Sequence, residues 1–277
     1  MIEIIEVYND WLDHNQELRK KEFKHLKGLF SASSAGSCYK KNIFKLFGFQ
    51  EKEIEKRSKR LLRLGTIIHE DFEKAMEHYI KTRGDDISND YEFFIEKEIV
   101  LDKYNVAGHL DLAILDKKRQ KLIVYDYKTK GSYPWKLQFG RNPKPKTMFN
   151  YEMQLATYAM GMSKTEGANL GVEMALIYYN KDTSVIKQVN VEVKYAEMAR
   201  EYWDTLNNWK DMLHESLPLD RKFAIAFEGE PIEDSDIIKE INNLMPKEDI
   251  EGIPFENWEC RYCPFDHICT RGEETYG

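Results

Sequence analysis

Residues 106–115 (VAGHLDLAIL) and 121–128 (KLIVYDYK) decide the fold. Both runs are rich in the β-branched and aromatic residues that favour extended chain, which predicts two adjacent strands. Successive side chains of a strand point to opposite faces, so Asp126 and Lys128 emerge on the same face, about 6.6 Å apart along the strand. Since Asp111 lies on the first strand, the two strands can bring Asp111, Asp126 and Lys128 together.

This set of carboxylates and a lysine has the chemistry of a divalent metal site. Two carboxylates supply the hard oxygen ligands that suit Mg²⁺ or Mn²⁺. A lysine beside them can position an attacking water or stabilise charge that develops on a phosphate. An isolated Asp-x-Lys triplet is usually a solvated strand face. Here the triplet closes an apolar run and follows the Gly-x-x-Asp motif of residues 108–111, which favours the functional interpretation.

Two predicted helices carry further candidates. Residues 58–80 have helical apolar spacing and contain His69, whose imidazole could join the metal site and would favour Mn²⁺ alongside Mg²⁺. The alternative for His69 is a partly buried helix histidine. Residues 150–162 place Gln154 and Tyr158 four residues apart, and therefore on one helix face. These two side chains either support the site or form the polar edge of an amphipathic helix.

The other segments predict an α/β chain in which strands and helices are mixed. A helical N-terminus is expected over residues 1–30, and a loop rich in Pro, Gly and Lys over 129–148. Further strands are predicted at 91–101, 172–179 and 185–193, and further helices at 194–215 and near 235–244.

Basic residues flank the predicted metal site on both sides in sequence. Lysines and arginines can track phosphates, and interleaved aromatic rings can stack on unpaired bases. A charge run is often only a solvated face, which is the alternative here. The candidate DNA-binding residues are Lys130, Lys136, Arg141, Lys144 and Lys146 after the strand, and Arg60 and Arg63 before His69.

Composition limits the class of protein. The 277 residues are 42% hydrophobic and 32% charged, which allows one α/β core with additions or two small domains. The net charge of −7 argues against nonspecific coating of nucleic acid but leaves room for a local basic groove. Apolar runs are too short to cross a membrane, and no secretory signal begins the sequence, so the expected location is cytoplasmic.

The cysteines form a second candidate metal site. Cys260, Cys263 and Cys269 lie close together in sequence and Cys38 lies far upstream. In a reducing compartment, such cysteines favour metal ligation over disulfides. Three interpretations remain open. The site holds a [4Fe–4S] cluster on four thiolates, or a structural zinc with the same ligands or with His267 in place of Cys38, or no metal.

Taken in order, the motifs resemble the RecB-like branch of the PD-(D/E)XK nucleases, and most closely the Cas4-like iron–sulfur nucleases. The resemblance covers about residues 31–162 and 258–270. Close relatives commonly carry Glu-x-Lys as the third motif, whereas this chain has Asp-Tyr-Lys, which the wider superfamily accepts. The matching motifs are Gly65-x-x-x-His69, Gly108-x-x-Asp111, Asp126-Tyr127-Lys128, Gln154-x-x-x-Tyr158 and the four cysteines.

The resemblance implies an architecture. We expect a restriction-endonuclease-like α/β core with a central mixed β-sheet flanked by helices, and a helical iron–sulfur cap that joins the N- and C-terminal segments. The expected divisions are an N-terminal helical segment with the first cysteine (1–57), the nuclease core (58–227) and a C-terminal acidic segment with the cysteine motif (228–277).

The resemblance also implies residue roles. His69, Asp111, Asp126 and the main-chain carbonyl of Tyr127 would hold Mg²⁺ or Mn²⁺. Lys128 would act catalytically together with the two aspartates. Gln154 and Tyr158 would support the site.

The expected function is a metal-dependent DNA nuclease, acting from ends and preferring single strands. DNA is the expected partner, and a helicase, recombinase or integrase-type protein is a candidate further partner. Two alternatives are a catalytically idle DNA-binding subunit of a recombination or adaptation complex, and a zinc-stapled scaffold.

Overall fold

The computed structural model describes residues 3–22, 26, 28–143, 149–166, 170–216, 235–244, 260 and 262–269. The chain divides into two compact units. The first, here called the terminal unit, comprises Met1–Phe30, Cys38–Thr66 and Asn208–Gly277, and the second, the sheet unit, comprises Ser31–Ser37 and Ile67–Asn207. The predicted domain boundaries after residues 57 and 227 stay predictions. None of the helices in the described ranges is long and apolar enough to span a membrane.

The described residues form seven α-helices and six strands. Short 3₁₀ turns occupy Ala32–Ser34 and Asp102–Tyr104. In chain order the elements are α1 (Ile4–Glu22), β1 (Phe30–Ser31), α2 (Tyr39–Leu46), α3 (Lys56–Ile87), β2 (Tyr91–Leu101), β3 (Val106–Asp116), β4 (Lys121–Lys130), α4 (Ser132–Phe139), α5 (Asn150–Glu166), β5 (Gly171–Asn180), β6 (Ile186–Val191), α6 (Lys194–Ser216) and α7 (Ser235–Leu244).

The six strands form one mixed sheet. Its order is β1-β3-β4-β5-β6, and β2 also pairs with β3. The β2–β3, β3–β4 and β5–β6 pairs are antiparallel, whereas β4 and β5 are parallel. Parallel neighbours need a long crossover, and α4 and α5 lie in the segment that connects them. The predicted α/β fold with a central mixed sheet flanked by helices is confirmed.

The segment predicted as a loop after β4 contains a helix. Gly131 is its N-cap residue in extended conformation, and Pro134 falls in the first turn, where proline costs no helical hydrogen bond. The main-chain N–H of Ser132 donates to Asp182 Oδ2 over 2.6 Å, which satisfies one amide at the start of the helix. Composition indicates a loop here because Gly and Pro are frequent in turns. The same residues also occur at helix ends, as they do in α4.

Close packing of α5 on the sheet depends on Gly161. A Cβ atom at this position would overlap Cγ2 of Ile99 on β2. Ile99 is 4% exposed, and its β-branched side chain has few alternative rotamers. The glycine therefore sets how near α5 comes to β2.

Gly161→Ala is expected to lower the free energy of unfolding by about 1–3 kcal/mol, because the added methyl overfills this contact. Thermal melting monitored by circular dichroism measures the change. Gly84→Ala is the matched control, since no atom lies within 4 Å of a Cβ at that helical glycine. Adding Ile99→Ala should make the double variant less destabilised than the sum of the single changes. Equal melting temperatures for Gly161→Ala and Gly84→Ala would contradict the packing argument.

The terminal unit joins early and late parts of the chain. Phe44 of α2 packs on Phe265 with ring centroids 5.7 Å apart. The main-chain N–H of Lys52 donates to the carbonyl of Pro264 over 2.9 Å. Asn242 of α7 donates from Nδ2 to the carbonyl of Ile268, also over 2.9 Å. Segments near both ends of the sequence are thus held in one unit, whereas the iron–sulfur cap that the resemblance implies stays a prediction.

Candidate active site

The site begins where β3 and β4 stop pairing. Their register runs from Asp116 opposite Lys121 to Leu112 opposite Tyr125, so the next residues along the two strands are Asp111 and Asp126. Asp111 Oδ2 accepts a hydrogen bond of 2.6 Å from the main-chain N–H of Tyr127. The Asp111 carboxylate therefore accepts a hydrogen bond from a β4 amide that lies beyond the paired residues of β3 and β4. Both aspartates lie at the same end of this strand pair.

Lys128 and Gln154 connect this point to α5. The Lys128 ammonium lies 2.6 Å from Asp126 Oδ2 and donates over 2.9 Å to Gln154 Oε1. The Gln154 amide nitrogen donates to Asp126 Oδ1 over 3.1 Å and to the Tyr158 hydroxyl oxygen over 3.2 Å. One amide side chain thus contacts Asp126, Lys128 and Tyr158 together.

Burial changes the proton affinity of these groups. Asp126 is 1% exposed, and its burial raises the pKa to about 6, with a smaller contribution from Asp111, although Lys128 acts in the opposite direction. Burial disfavours the charged form of Lys128, but the carboxylates of Asp126 and Asp111 outweigh it and raise the lysine pKa. The lysine therefore stays charged, whereas the buried environment of Asp126 disfavours the ionised form of its carboxylate.

His69 reaches the same site from α3. Its Nδ1 lies 3.5 Å from Asp111 Oδ1. Burial alone would lower the pKa of His69, but the Asp111 carboxylate reverses this and raises it. The Tyr127 ring is stacked on Phe72 at 4.6 Å and lies edge-on to the His69 imidazole at 5.8 Å. Side chains from α3, β3, β4 and α5 that the sequence singled out therefore lie together in the sheet unit.

Carboxylates such as those of Asp111 and Asp126 are the ligands that a hard divalent cation prefers. A cation beside Asp126 would stabilise the ionised carboxylate that burial disfavours. Across the described ranges, no three His, Cys, Asp or Glu side chains are grouped so that they could hold a metal ion. Here Asp111 Oδ2 accepts from the Tyr127 amide, whereas the buried Asp126 Oδ2 forms an ion pair with the Lys128 ammonium but accepts no hydrogen bond from any described residue. The predicted ligand roles of His69, Asp111, Asp126 and Tyr127 stay predictions.

Two residues near the site were not singled out from the sequence. Tyr151 lies on α5 three residues before Gln154, with its ring centroid 4.9 Å from Lys128 Nζ. Helical spacing could have identified it, because i and i+3 share a face. Glu96 has a φ of +46° within β2, and it stands opposite Asp111, between the pairs Ile95–Leu112 and Lys97–Leu110. Nothing in the sequence indicates this conformation, which glutamate rarely adopts.

The predicted DNA-binding residues fall in both units. In the sheet unit, Lys136 of α4 and Arg141 are exposed, and Lys130 ends β4. In the terminal unit, Arg60 donates to Asn9 Oδ1 over 2.8 Å and the Arg63 guanidinium lies 5.3 Å from the Trp11 ring centroid. Lys144 and Lys146 lie outside the described residues. DNA contact by these residues stays a prediction.

The four cysteines belong to the terminal unit and carry free thiols. Burial raises the pKa of Cys38 to about 12, and the neighbouring Cys269 and Cys263 add to the shift. Burial also raises the pKa of Cys263, where Cys269 and Cys260 contribute in the same direction. The thiols are thus close enough to influence one another. No three of these described thiols are grouped so that they could hold a metal ion, so the iron–sulfur cluster and the zinc site both stay predictions.

Comparisons with known proteins place the chain in a family. A search of curated protein sequences found no match. Two solved structures are similar at low identity. The protein SSO0001 has a TM-score of 0.43 and 17% identity, covering 95% of this chain and 96% of its own. A candidate exonuclease from Eubacterium rectale has a TM-score of 0.41 and 11% identity, covering 84% and 94%.

With TM-scores below 0.5, neither structure alone says what this chain does. The sequence model of the PD-(D/E)XK nuclease superfamily matches residues 48–270. The match includes every predicted active-site residue from His69 to Tyr158 and ends just after Cys269, whereas Cys38 precedes it. Because the match covers most of the sequence, the chain belongs to the PD-(D/E)XK nuclease superfamily.

Proposed function

We propose that the protein is a metal-dependent DNA nuclease that hydrolyses phosphodiester bonds, acts from strand ends and prefers single strands. The observation that carries the proposal is the contact of Lys128 with Asp126 and Gln154, beside Asp111 and His69. Nucleases of this superfamily typically use Mg²⁺ or Mn²⁺. The preference for ends and for single strands comes from the resemblance to the RecB-like, Cas4-like branch.

In this proposal, His69, Asp111, Asp126 and the main-chain carbonyl of Tyr127 hold the divalent cation. When bound, such a cation polarises a phosphate oxygen and makes a nearby water more acidic. The side chains around the cation position the substrate and stabilise its charge. The Lys128 ammonium, kept charged by the two aspartates, is placed to stabilise negative charge on the phosphate.

Gln154 acts as a positioning residue in this mechanism. Its carbonyl oxygen accepts from Lys128, while its nitrogen donates to Asp126, so the amide fixes the separation of the Asp126 carboxylate and the Lys128 ammonium along β4. The Tyr158 hydroxyl in turn accepts a hydrogen bond from Gln154 and orients the amide. Preorganised groups of this kind need little rearrangement during the reaction.

We also propose that Cys38, Cys260, Cys263 and Cys269 hold a structural [4Fe–4S] cluster, with zinc as the alternative. Support comes from the donor chemistry of four thiols in one unit and from their mutual effect on thiol pKa. The site has no part in hydrolysis, because the aspartate and lysine set supplies that chemistry.

Single- and double-stranded oligonucleotides labelled at one end test the activity. With Mn²⁺ or Mg²⁺, we expect the full-length single strand to be consumed several-fold faster than the duplex, and a circular single strand to resist cleavage. A chelator should abolish the activity in both cases. Undiminished cleavage in the chelator would contradict metal dependence. Absence of cleavage of every DNA substrate with either metal would contradict the proposed function.

A further inference from the structure

Lys130 extends the row of functional side chains along β4. Alternate strand residues share a face, so Asp126, Lys128 and Lys130 follow one another at intervals of about 6.6 Å. The side chain of Asp126 is 1% exposed and that of Lys128 is 13% exposed, whereas Lys130 is partly open to solvent. In this row, Lys130 is the ammonium that a bound strand can reach most readily.

Two aromatic rings define the position of the Lys130 ammonium. Its Nζ lies 5.6 Å from the ring centroid of Tyr151 and 5.2 Å from that of Tyr178. These are cation–π distances. Tyr178 is completely buried and packs edge-on against Phe139 at 5.2 Å. Lys130 is therefore held against a fixed ring, unlike an ordinary surface lysine.

Tyr151 lies beside both lysines. Its ring centroid is 4.9 Å from the Nζ of Lys128 and 5.6 Å from that of Lys130. Tyr151 and Gln154 share a face of α5, because they are three residues apart. Tyr151 is itself partly exposed. A partly exposed ring that adjoins two ammonium groups has the composition of a single-strand binding subsite.

We propose that Tyr151 and Lys130 form a subsite for the nucleotide next to the cleaved linkage in single-stranded DNA. The Tyr151 ring stacks on the base, and the Lys130 ammonium pairs with the adjoining phosphate. Stacking on an aromatic ring tolerates any base, so the subsite recognises an unpaired nucleotide and not a sequence. This inference rests on the proposed nuclease function and explains a preference for single strands.

Short single-stranded oligonucleotides with one abasic nucleotide on either side of the cleaved linkage test the subsite. For the wild-type protein with Mn²⁺, we expect removal of the base on one side to lower kcat/KM about tenfold, which is the size of one lost stacking contact. Tyr151→Ala should lower kcat/KM about tenfold on the intact strand and show no further loss on the abasic strand. Tyr151→Phe should behave like the wild type, because it keeps the ring.

The abasic comparison separates base stacking from a purely structural role. If Tyr151 only positioned Lys128, Tyr151→Ala would lose the same factor on intact and abasic strands relative to wild type, and that result would overturn the proposal. Tyr151→Leu fills similar space without an aromatic face, and it replaces the alanine variant if that variant fails to fold. Tyr79→Ala is the control, since Tyr79 is a 44% exposed tyrosine on α3, outside the candidate DNA-binding residues, and its kcat/KM should be unchanged.

Lys130→Gln tests the phosphate contact separately. It should reduce the slope of log binding constant against log salt by about 0.7 for single-stranded DNA, and an unchanged slope would overturn this half of the subsite. Failure of the wild-type protein to cleave any strand would count against the nuclease proposal itself. If kcat/KM were unchanged by an abasic nucleotide on either side of the cleaved linkage, only the subsite proposal would be contradicted.

Discussion

Lys128→Ala and Asp126→Ala are each expected to lower kcat for DNA cleavage by at least about 100-fold, the usual effect of removing a group that stabilises a transition state. The lysine contacts Asp126 and Gln154 directly and no other lysine occupies its place on β4. Loss of Lys128 would leave Asp126 buried beside a neutral residue. Its carboxyl group, whose pKa is already raised to about 6, should then take up a proton and allow the protein to stay folded.

Single-turnover cleavage of a labelled single strand measures this effect, and a gel-shift assay checks that DNA still binds. Lys121→Ala is the matched control, because Lys121 begins the same strand and forms an exposed ion pair with Glu173. This control should keep its activity within about twofold, as exposed pairs contribute little. Retention of more than a few per cent of wild-type cleavage by either site variant would show that the catalytic set is assigned wrongly.

Cys38→Ser is expected to lower the melting temperature by about 10 °C or more, because in the proposed site a shared metal would close a very long loop between α2 and the C-terminal cysteines. The protein purified without oxygen should be brown from thiolate-bound iron and sulfide, and the variant should be bleached. Metal analysis and the visible spectrum measure these outcomes. Activity should fall only as far as stability does.

Tyr262→Ala supplies the control for this change, since Tyr262 is 77% exposed and stands between two of the cysteines without offering a thiol. It should keep both colour and melting temperature. A colourless wild-type protein with one tightly bound zinc would show that the site holds zinc and not a cluster. The nuclease proposal would be unaffected. A brown Cys38→Ser variant with its full iron content would show that the fourth ligand is another residue.

Several strands could be predicted from the sequence almost to the residue, whereas the helix predicted at 58–80 runs from Lys56 to Ile87. The segment 91–101 was predicted as a strand and forms β2 with the same bounds. Patterns were less informative about which helical residues face inward. Leu61 fits the apolar spacing of α3 but is 52% exposed, whereas Trp203 of α6 is fully buried. Periodicity identifies a helix, but packing partners from distant segments decide which face is covered.

The candidate site could be predicted in part because strand alternation fixes which side chains share a face. This placed Asp126 and Lys128 together, and the i, i+4 rule paired Gln154 with Tyr158. The bridging of Lys128 and Asp126 by Gln154 depends on how α5 crosses the sheet, which local spacing cannot specify. The left-handed backbone of Glu96 depends likewise on pairing with β3.

The composition of the terminal unit has a consequence for synthesis of the protein. Phe44 and Ile43 are completely buried, and Phe44 packs on Phe265, near the end of the sequence. A ribosome that adds about 5–20 residues per second makes Phe265 roughly 3–12 seconds after the last residue of the sheet unit. During that interval, the nascent chain exposes the apolar surface around Phe44, a target for chaperones. If the four thiols hold a metal as proposed, that metal can be loaded only after translation has passed Cys269, late in the maturation of the protein.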